Sequence, residues 1–259
     1  MYTVIIPSLG RINYLNELLQ SIYNQTILPE EIIILLDRNN LCEDSEKLIN
    51  QKKNCKVVFC NNLNLSQKRN YGAEITKTNY IIYSDDDDIW ELNKGELTIK
   101  SLNTSQIVCH EYTKFGEIDQ KPKFILGKNP RIINSKDLLF GSNIFGGGSG
   151  IAGRREIFLA LPFDKNYLFC EDFYWWIKVV LAEIKIEYLP YPLVKYRTHK
   201  NNMTSNFLKI YFFNIKIFRN LIIKSSILFI ASIYGFLKST IKSFLLLGIY
   251  LLFNKSKKK

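Results

Sequence analysis

The apolar positions of this 259-residue chain change their period several times, and those changes mark out its elements. Tyr2–Ile6 is a short continuous apolar run stopped by Pro7, which reads as a buried strand. Leu15, Leu18, Leu19 and Ile22 then recur at i, i+3, i+4 and i+7, one face of an amphipathic helix. Glu31–Leu36 is a second strand-like run, ended by the polar stretch Asp37-Arg38-Asn39-Asn40, and Lys56–Cys60 is a third. Ser66–Thr76 suits a helix with Ser66 as its N-cap, and Tyr80–Tyr83 is a fourth strand. Strands separated by helices predict an α/β fold with a mostly parallel central sheet and right-handed crossovers. Ligands of such sheets bind beyond the carboxyl ends of the strands, so Asp37 and Asp85, both just past such ends, become site candidates.

From 100 to 170 the pattern is less regular, with the glycine-rich Gly146-Gly147-Gly148-Ser149-Gly150 and the basic pair Arg154-Arg155. Phe173–Leu181 is apolar, aromatic and helix-like; Pro190 and Pro192 then end the regular pattern before Val194–Arg197 and His199. The character changes at Phe207. Long apolar stretches follow, the longest uncharged ones being Ser225–Leu237 and Ser243–Asn254, both short of the ~20 residues needed to span a bilayer. On one helix, Lys209, Lys216, Arg219, Lys224, Lys238 and Lys242 fall within an arc of about 140°. That stripe suits an amphipathic helix lying on an anionic membrane; a helix packed on the preceding domain, an oligomer contact and a tilted span with snorkelling lysines are the other readings. The expected organisation is a catalytic domain over 1–206 and a membrane-associating tail over 207–259, with the protein on the cytoplasmic face of the membrane.

Charge sharpens this division. Ten of the 35 Lys/Arg and none of the 24 Asp/Glu lie in 207–259, which leaves 25 basic against 24 acidic residues in 1–206. A uniformly basic nucleic-acid binder is excluded by that distribution. Cys42, Cys55, Cys60, Cys109 and Cys170 form no CxxC pair and read as reduced thiols; His110 beside Cys109 lacks further ligands at zinc spacing. The opening residues read as a strand, not as a signal peptide.

The chemistry centres on Asp85-Asp86-Asp87-Asp88. Four adjacent carboxylates after a buried strand are costly unless a cation or strong donors compensate them. In an extended backbone Asp85 and Asp87 point together and Asp86 elsewhere, a D-x-D arrangement suited to Mg2+ or Mn2+. A solvated acidic turn is the alternative.

Val4-Ile5-Ile6-Pro7-Ser8, Glu31–Asp37, Lys68-Arg69-Asn70-Tyr71-Gly72 and Tyr80–Trp90 resemble, in order and spacing, the family 2 glycosyltransferases of the GT-A fold. Phe163-Asp164, Cys170-Glu171-Asp172 and Tyr196-Arg197-Thr198-His199 resemble that family's later blocks, so the likeness covers roughly 2–205. The resemblance implies that Pro7, Ser8 and Asp37 hold the base and ribose of a nucleotide sugar, a UDP-sugar, with Arg69 near the diphosphate. It implies a donor side completed by Asp85, Asp86 and His199, with Asp87, Asp85 and His199 around Mn2+ or Mg2+. Asp172 is the implied catalytic base and Glu171 its supporting neighbour, giving inversion through an oxocarbenium-like transition state. A glycan or lipid-linked acceptor of surface-polysaccharide or lipopolysaccharide synthesis is the implied partner. Arg38-Asn39-Asn40 departs from the family's usual D-D-G-S-like turn, which weakens the assignment of the nucleotide.

Other residues keep two readings each. His199 serves the metal or a structural hydrogen bond. Gly146–Gly150 is an acceptor loop or a tight turn, and without a trailing Lys-Ser/Thr it is not a P-loop. Trp175 and Trp176 stack on an acceptor sugar or fill the core. Arg154 and Arg155 meet an acceptor phosphate or lie on an ion-paired face. Two other functions compete: a non-catalytic scaffold on the same fold, and a sugar-nucleotide pyrophosphorylase, which needs a glycine- and lysine-bearing loop that Pro7–Arg11 does not supply.

Overall fold

A computed structural model describes residues 1–40, 49, 52–124, 126–134, 137, 147–200 and 202–224. Cys42, Gly146 and the stretch from 225 to the end, with Lys238 and Lys242, lie outside the described residues.

Strands β1 (Tyr2–Pro7), β2 (Glu31–Leu36), β3 (Cys55–Phe59) and β4 (Tyr80–Tyr83) form a parallel half-sheet in the order β3-β2-β1-β4. Their side chains alternate between two apolar layers, which is why these segments read as unbroken hydrophobic runs. Tyr2, Val4, Ile6, Ile32, Ile34, Leu36 and Ile82 pack with Leu15, Leu18, Leu19 and Ile22 of α1 (Ile12–Tyr23). On the other face Ile5, Ile33, Leu35, Ile81 and Tyr83 join Ala73 of α2 (Leu65–Ile75), Phe158 of α4 (Arg155–Ala160) and Trp175 and Trp176 of α5 (Glu171–Leu181). Gly72 lets α2 sit this low, since a Cβ there would meet Ile5 Cγ2 at 2.5 Å.

Beyond β4 the sheet becomes mixed, running β4-β8-β6-β9-β5 through β5 (Ile89–Trp90), β6 (Ile107–Gly116), β8 (Ala152–Arg154) and β9 (Ile186–Thr198), with β7 (Arg131–Ile132) paired to β9. Helix α3 (Lys94–Leu102) leads into β6.

Two sequence expectations change here. Asn64, not Ser66, caps α2: its side chain accepts from Gln67 N–H while the Gln67 side chain accepts from Asn64 N–H, and Ser66 is buried. Pro190 and Pro192 do not end the pattern but lie inside β9, where register shifts around Glu111 of β6 absorb the missing N–H donors. Past residue 207 the chain continues in contact with this core. Ile217 and Phe218 of α6 (Phe207–Lys224) belong to the same core as Trp175 and Trp176, and Phe218 meets Phe173 edge-on at 6.2 Å. Lys209 and Lys216 fold over Phe169 and Tyr167 of the domain.

Candidate functional site

At the carboxyl end of β1 the chain bends through Gly10 (φ 78°). The Ser8 hydroxyl (2.6 Å) and the Leu9 N–H (3.0 Å) donate to one oxygen of Asp86, and Arg11 pairs with the other. Asp86 is thus a buried fastener between the β1 loop and the acidic run. At the end of β2, Asp37 is held by buried Lys68, whose Nζ donates to Asp37 Oδ2 (2.8 Å) and to the Ser8 carbonyl (3.2 Å). Asp37 Oδ1 has no partner among the described residues, an acceptor of the kind a nucleobase N–H uses.

The acidic run is not extended. Asp86 and Asp87 form a turn, so the simple alternation expected of a strand gives way to four carboxylates with separate partners. Asp85 accepts from Arg69 (3.0 Å), and its own N–H donates to Ser149 Oγ (2.8 Å). Asp87 Oδ2 pairs with Arg11 (2.8 Å) and lies 3.0 Å from His199 Nε2. Asp88 accepts from the Arg197 N–H (2.9 Å), and the Arg197 side chain donates back to the Asp87 carbonyl (2.7 Å). β9 is therefore the arm that carries Arg197 and His199 to the run. Tyr14 braces both, under the Arg197 guanidinium (4.4 Å) and stacked on His199 (5.6 Å).

Crowding raises the carboxylates. Burial, reinforced by the charge of Asp85, lifts Asp87 above the usual carboxylate range, and burial lifts Asp88 well above it. Behind them Lys94 is fully buried over Trp90 (4.3 Å), donating to the Ser149 carbonyl (2.6 Å); burial lowers it to about 7 while Asp88 and Asp85 pull the other way.

The second half of the site starts at Cys170, which takes the left-handed conformation (φ 57°) and opens α5 on Glu171 and Asp172. Both carboxylates are buried in the first helical turn, where the helix dipole favours negative charge. Arg69, 1% exposed, joins the halves: one terminal nitrogen donates to Glu171 (2.7 Å) and the other to Asp85. Burial pushes Glu171 up to about 7, against the pull of Arg69. Gly148 covers this bridge so closely that a Cβ would lie 2.1 Å from Arg69 Nη2.

Among the described residues no group of three or more His, Cys, Asp or Glu side chains is gathered for a metal. The Asp87–His199 pair nonetheless fits one. Asp87 Oδ2 and His199 Nε2 lie 3.0 Å apart, at hydrogen-bond distance, and together would offer a cation one carboxylate oxygen and one ring nitrogen. A cation that takes few protein ligands and fills its remaining positions with water and phosphate oxygens, as Mg2+ does, suits such a pair. Asp85, expected beside Asp87 on the metal, pairs through Oδ1 with Arg69.

Several candidates resolve toward the core. Trp175 and Trp176 are fully buried, and Trp175 stacks on Phe158 and Phe163. Arg154 donates to the Ser105 and Leu102 carbonyls, and Arg155 to those of Ala73 and Glu74, so both tie backbone. Gly148-Ser149-Gly150 form a 3-10 turn that braces Asp85. His110 is a core residue, its pKa lowered by burial to about 3, and Cys55, Cys60, Cys109 and Cys170 are free thiols. Arg11, Lys68, Lys94 and Ser149 are the site residues that the sequence reading did not single out.

A parallel half-sheet extended by a mixed one, with an acidic run at its carboxyl edge and a Glu-Asp pair at a helix start bridged to it, is the GT-A architecture. The family model for glycosyl transferase family 2 matches residues 3–161, and the chain belongs to that family. It is 26% identical over 189 residues to an uncharacterized glycosyltransferase of Rickettsia bellii, covering 68% of this chain and 26% of that one. A second uncharacterized glycosyltransferase, from Methanocaldococcus jannaschii, is 24% identical over 204 residues, covering 76% of this chain and 70% of its own. The Escherichia coli UDP-Gal:alpha-D-GlcNAc-diphosphoundecaprenol beta-1,3-galactosyltransferase is 25% identical over 173 residues, 64% of this chain and 62% of that protein. This chain thus spans about a quarter of the Rickettsia relative's length. Among solved structures, S. aureus TarS 1-349 in complex with UDP-GlcNAc superposes with a TM-score of 0.71 at 16% identity, covering 93% of this chain and 72% of that one, a likeness of fold.

Proposed function

We propose that this chain is an inverting, metal-dependent glycosyltransferase that moves a sugar from a nucleotide sugar, a UDP-sugar, to a hydroxyl of a glycan or lipid-linked acceptor in surface-polysaccharide or lipopolysaccharide assembly. The observation that carries this reading is the buried bridge Asp85–Arg69–Glu171, which ties the acidic run to the helix start that bears Asp172. The UDP-GlcNAc held by TarS and the UDP-Gal in the E. coli relative's name support the choice of donor.

Asp37, with Lys68 fixing one oxygen, leaves the other to accept from the base, while the backbone of Pro7 and Ser8 lines the nucleoside. Asp87 and His199 would hold a divalent cation, which would supply positive charge against that of the leaving diphosphate. Asp172 takes the proton of the acceptor hydroxyl while that oxygen bonds to the anomeric carbon and the carbon–diphosphate bond breaks on the opposite face, releasing the nucleoside diphosphate. A single base with in-line displacement inverts the anomeric centre. Arg69, whose terminal nitrogens meet Asp85 and Glu171, orients these two carboxylates beside the diphosphate.

Peripheral attachment to the cytoplasmic face of an anionic membrane completes the reading. Phe212 (65%) and Leu208 (40%) of α6 are exposed beside the exposed Lys209 and Arg219. No described helix is long and apolar enough to cross a membrane.

The direct test is Asp172→Asn. It should retain UDP-sugar binding, measured by calorimetry with Mn2+, and lose at least ~10²-fold in transfer. Full transfer by that variant removes the base assignment, and absence of any UDP binding with Mn2+ favours a scaffold.

A further inference from the structure

The cation position described above is not bare: a side chain stands on it. Arg11 reaches from the start of α1 so that one terminal nitrogen, Nη1, sits 2.8 Å from Asp87 Oδ2 and 3.0 Å from His199 Nε2. Those are the two atoms read above as cation ligands, themselves 3.0 Å apart. The other terminal nitrogen, Nη2, pairs with Asp86, a carboxylate already fastened by Ser8 and Leu9.

We propose that Arg11 is an internal stand-in for the divalent cation, occupying Asp87 and His199 in the free protein and swinging off them, about Asp86, when the cation and donor diphosphate arrive. The inference rests on the reading of Asp87 and His199 as cation ligands.

Three physical points lead there. First, the two occupants exclude each other. A bond of about 2.1 Å needs the lone pairs that Nη1 now faces with its hydrogens, and two positive charges within about 3 Å repel strongly in a half-buried site. Second, the imidazole is prepared for either. His199 Nε2, 3.0 Å from Arg11 Nη1, is also 3.0 Å from Asp87 Oδ2, so the ring nitrogen that meets the guanidinium is the one a cation would take. Third, the displaced guanidinium keeps a post. Asp86 is buried and fixed, so Arg11 loses one anchor and retains the other, within reach of whatever anion accompanies the ion. A diphosphate is such an anion, and a guanidinium binds phosphate oxygens in bidentate fashion. Metal and nucleotide then bind cooperatively, because each supplies part of what frees or receives Arg11.

The experiment is a calorimetric titration with Mn2+, with and without UDP, on the full chain and on Arg11→Met and Arg11→Gln. For the natural protein, UDP should tighten Mn2+ binding at least tenfold. In Arg11→Met, Mn2+ alone should bind about tenfold more tightly than to the natural protein, and the tightening by UDP should shrink. Arg11→Gln should move the same way and decides the matter if Arg11→Met does not fold. Unchanged or weaker Mn2+ binding in the folded variant overturns the stand-in role while leaving the metal-dependent reading in place. Failure of Mn2+ to bind any of the three proteins, with or without UDP, overturns both.

Discussion

Replacing Gly148 by alanine tests whether the bridge across the site is as rigid as its burial implies. The backbone at 148 does not take a positive φ, so alanine meets no conformational obstacle there and only space is at issue. An added Cβ would lie 2.1 Å from Arg69 Nη2, 2.6 Å from Asp85 Oδ1 and 3.0 Å from Arg69 Cζ. A guanidinium tip can usually swing away from such a clash. Arg69 cannot do so freely, because Glu171 holds Nη1 at 2.7 Å, Asp85 holds Nη2 at 3.0 Å and the group lies over the Phe163 ring at 5.3 Å. Overpacking of this kind costs about 1–3 kcal/mol, and losing the Asp85 contact puts the expectation in the upper half of that range. For a chain of this size each kcal/mol lowers the melting temperature by about 2–4 °C, so a fall of about 4–12 °C is expected. Thermal unfolding followed by circular dichroism measures it, and UDP-sugar binding should weaken in parallel because Asp85 shifts. A variant that melts within about 1 °C of the natural protein, with unchanged donor affinity, refutes the claim that Arg69 is pinned.

Two further outcomes follow from the same geometry. Glu171 has a folded-state pKa near 7, above its unfolded value of ~4.3, so the folded protein binds more protons between those pH values and stability falls as pH rises through that window. With Arg69, Asp85 and Asp172 unchanged around it, Glu171→Gln should flatten the dependence of melting temperature on pH between about 4.5 and 7; an unaltered slope assigns it to another group. A chain ended at Asn206 should melt well below one ended at Lys224, since Ile217 and Phe218 together contribute about 3–6 kcal/mol of burial. Equal melting temperatures would make α6 a mere appendage.

The parallel half-sheet was legible because β1, β2 and β4 are buried on both faces and leave continuous apolar runs, and α1 because one face of it is buried. β6 and β9 were not. Ten- and thirteen-residue strands that change partners along their length, one of them carrying two prolines, show no single period to the eye. Of the site, the carboxylates were legible and their counter-ions were not. Asp85–Asp88 announces itself by adjacency, whereas Arg11, Lys68 and Lys94 each look like an ordinary surface cation until folding brings them to their partners. Arg11 and His199 meet across 188 positions of chain, and Lys68 meets Asp37 across 31. The α2 cap was missed for a local reason: Ser66 and Asn64 are both good caps, and only the Asn64–Gln67 pair completes a reciprocal box.

The buried bridge also bears on how such a site can change over generations. Lysine at 69 has one ammonium and cannot hold Asp85 and Glu171 in a planar fork, and any side chain at 148 collides with whatever fork is kept. Positions 69, 85, 148 and 171 form a set in which a single step is harmful and only joint replacement is tolerated. Among relatives these four positions should therefore vary together or not at all, while Asp37, whose side chain pairs with Lys68, remains free to follow a different nucleotide.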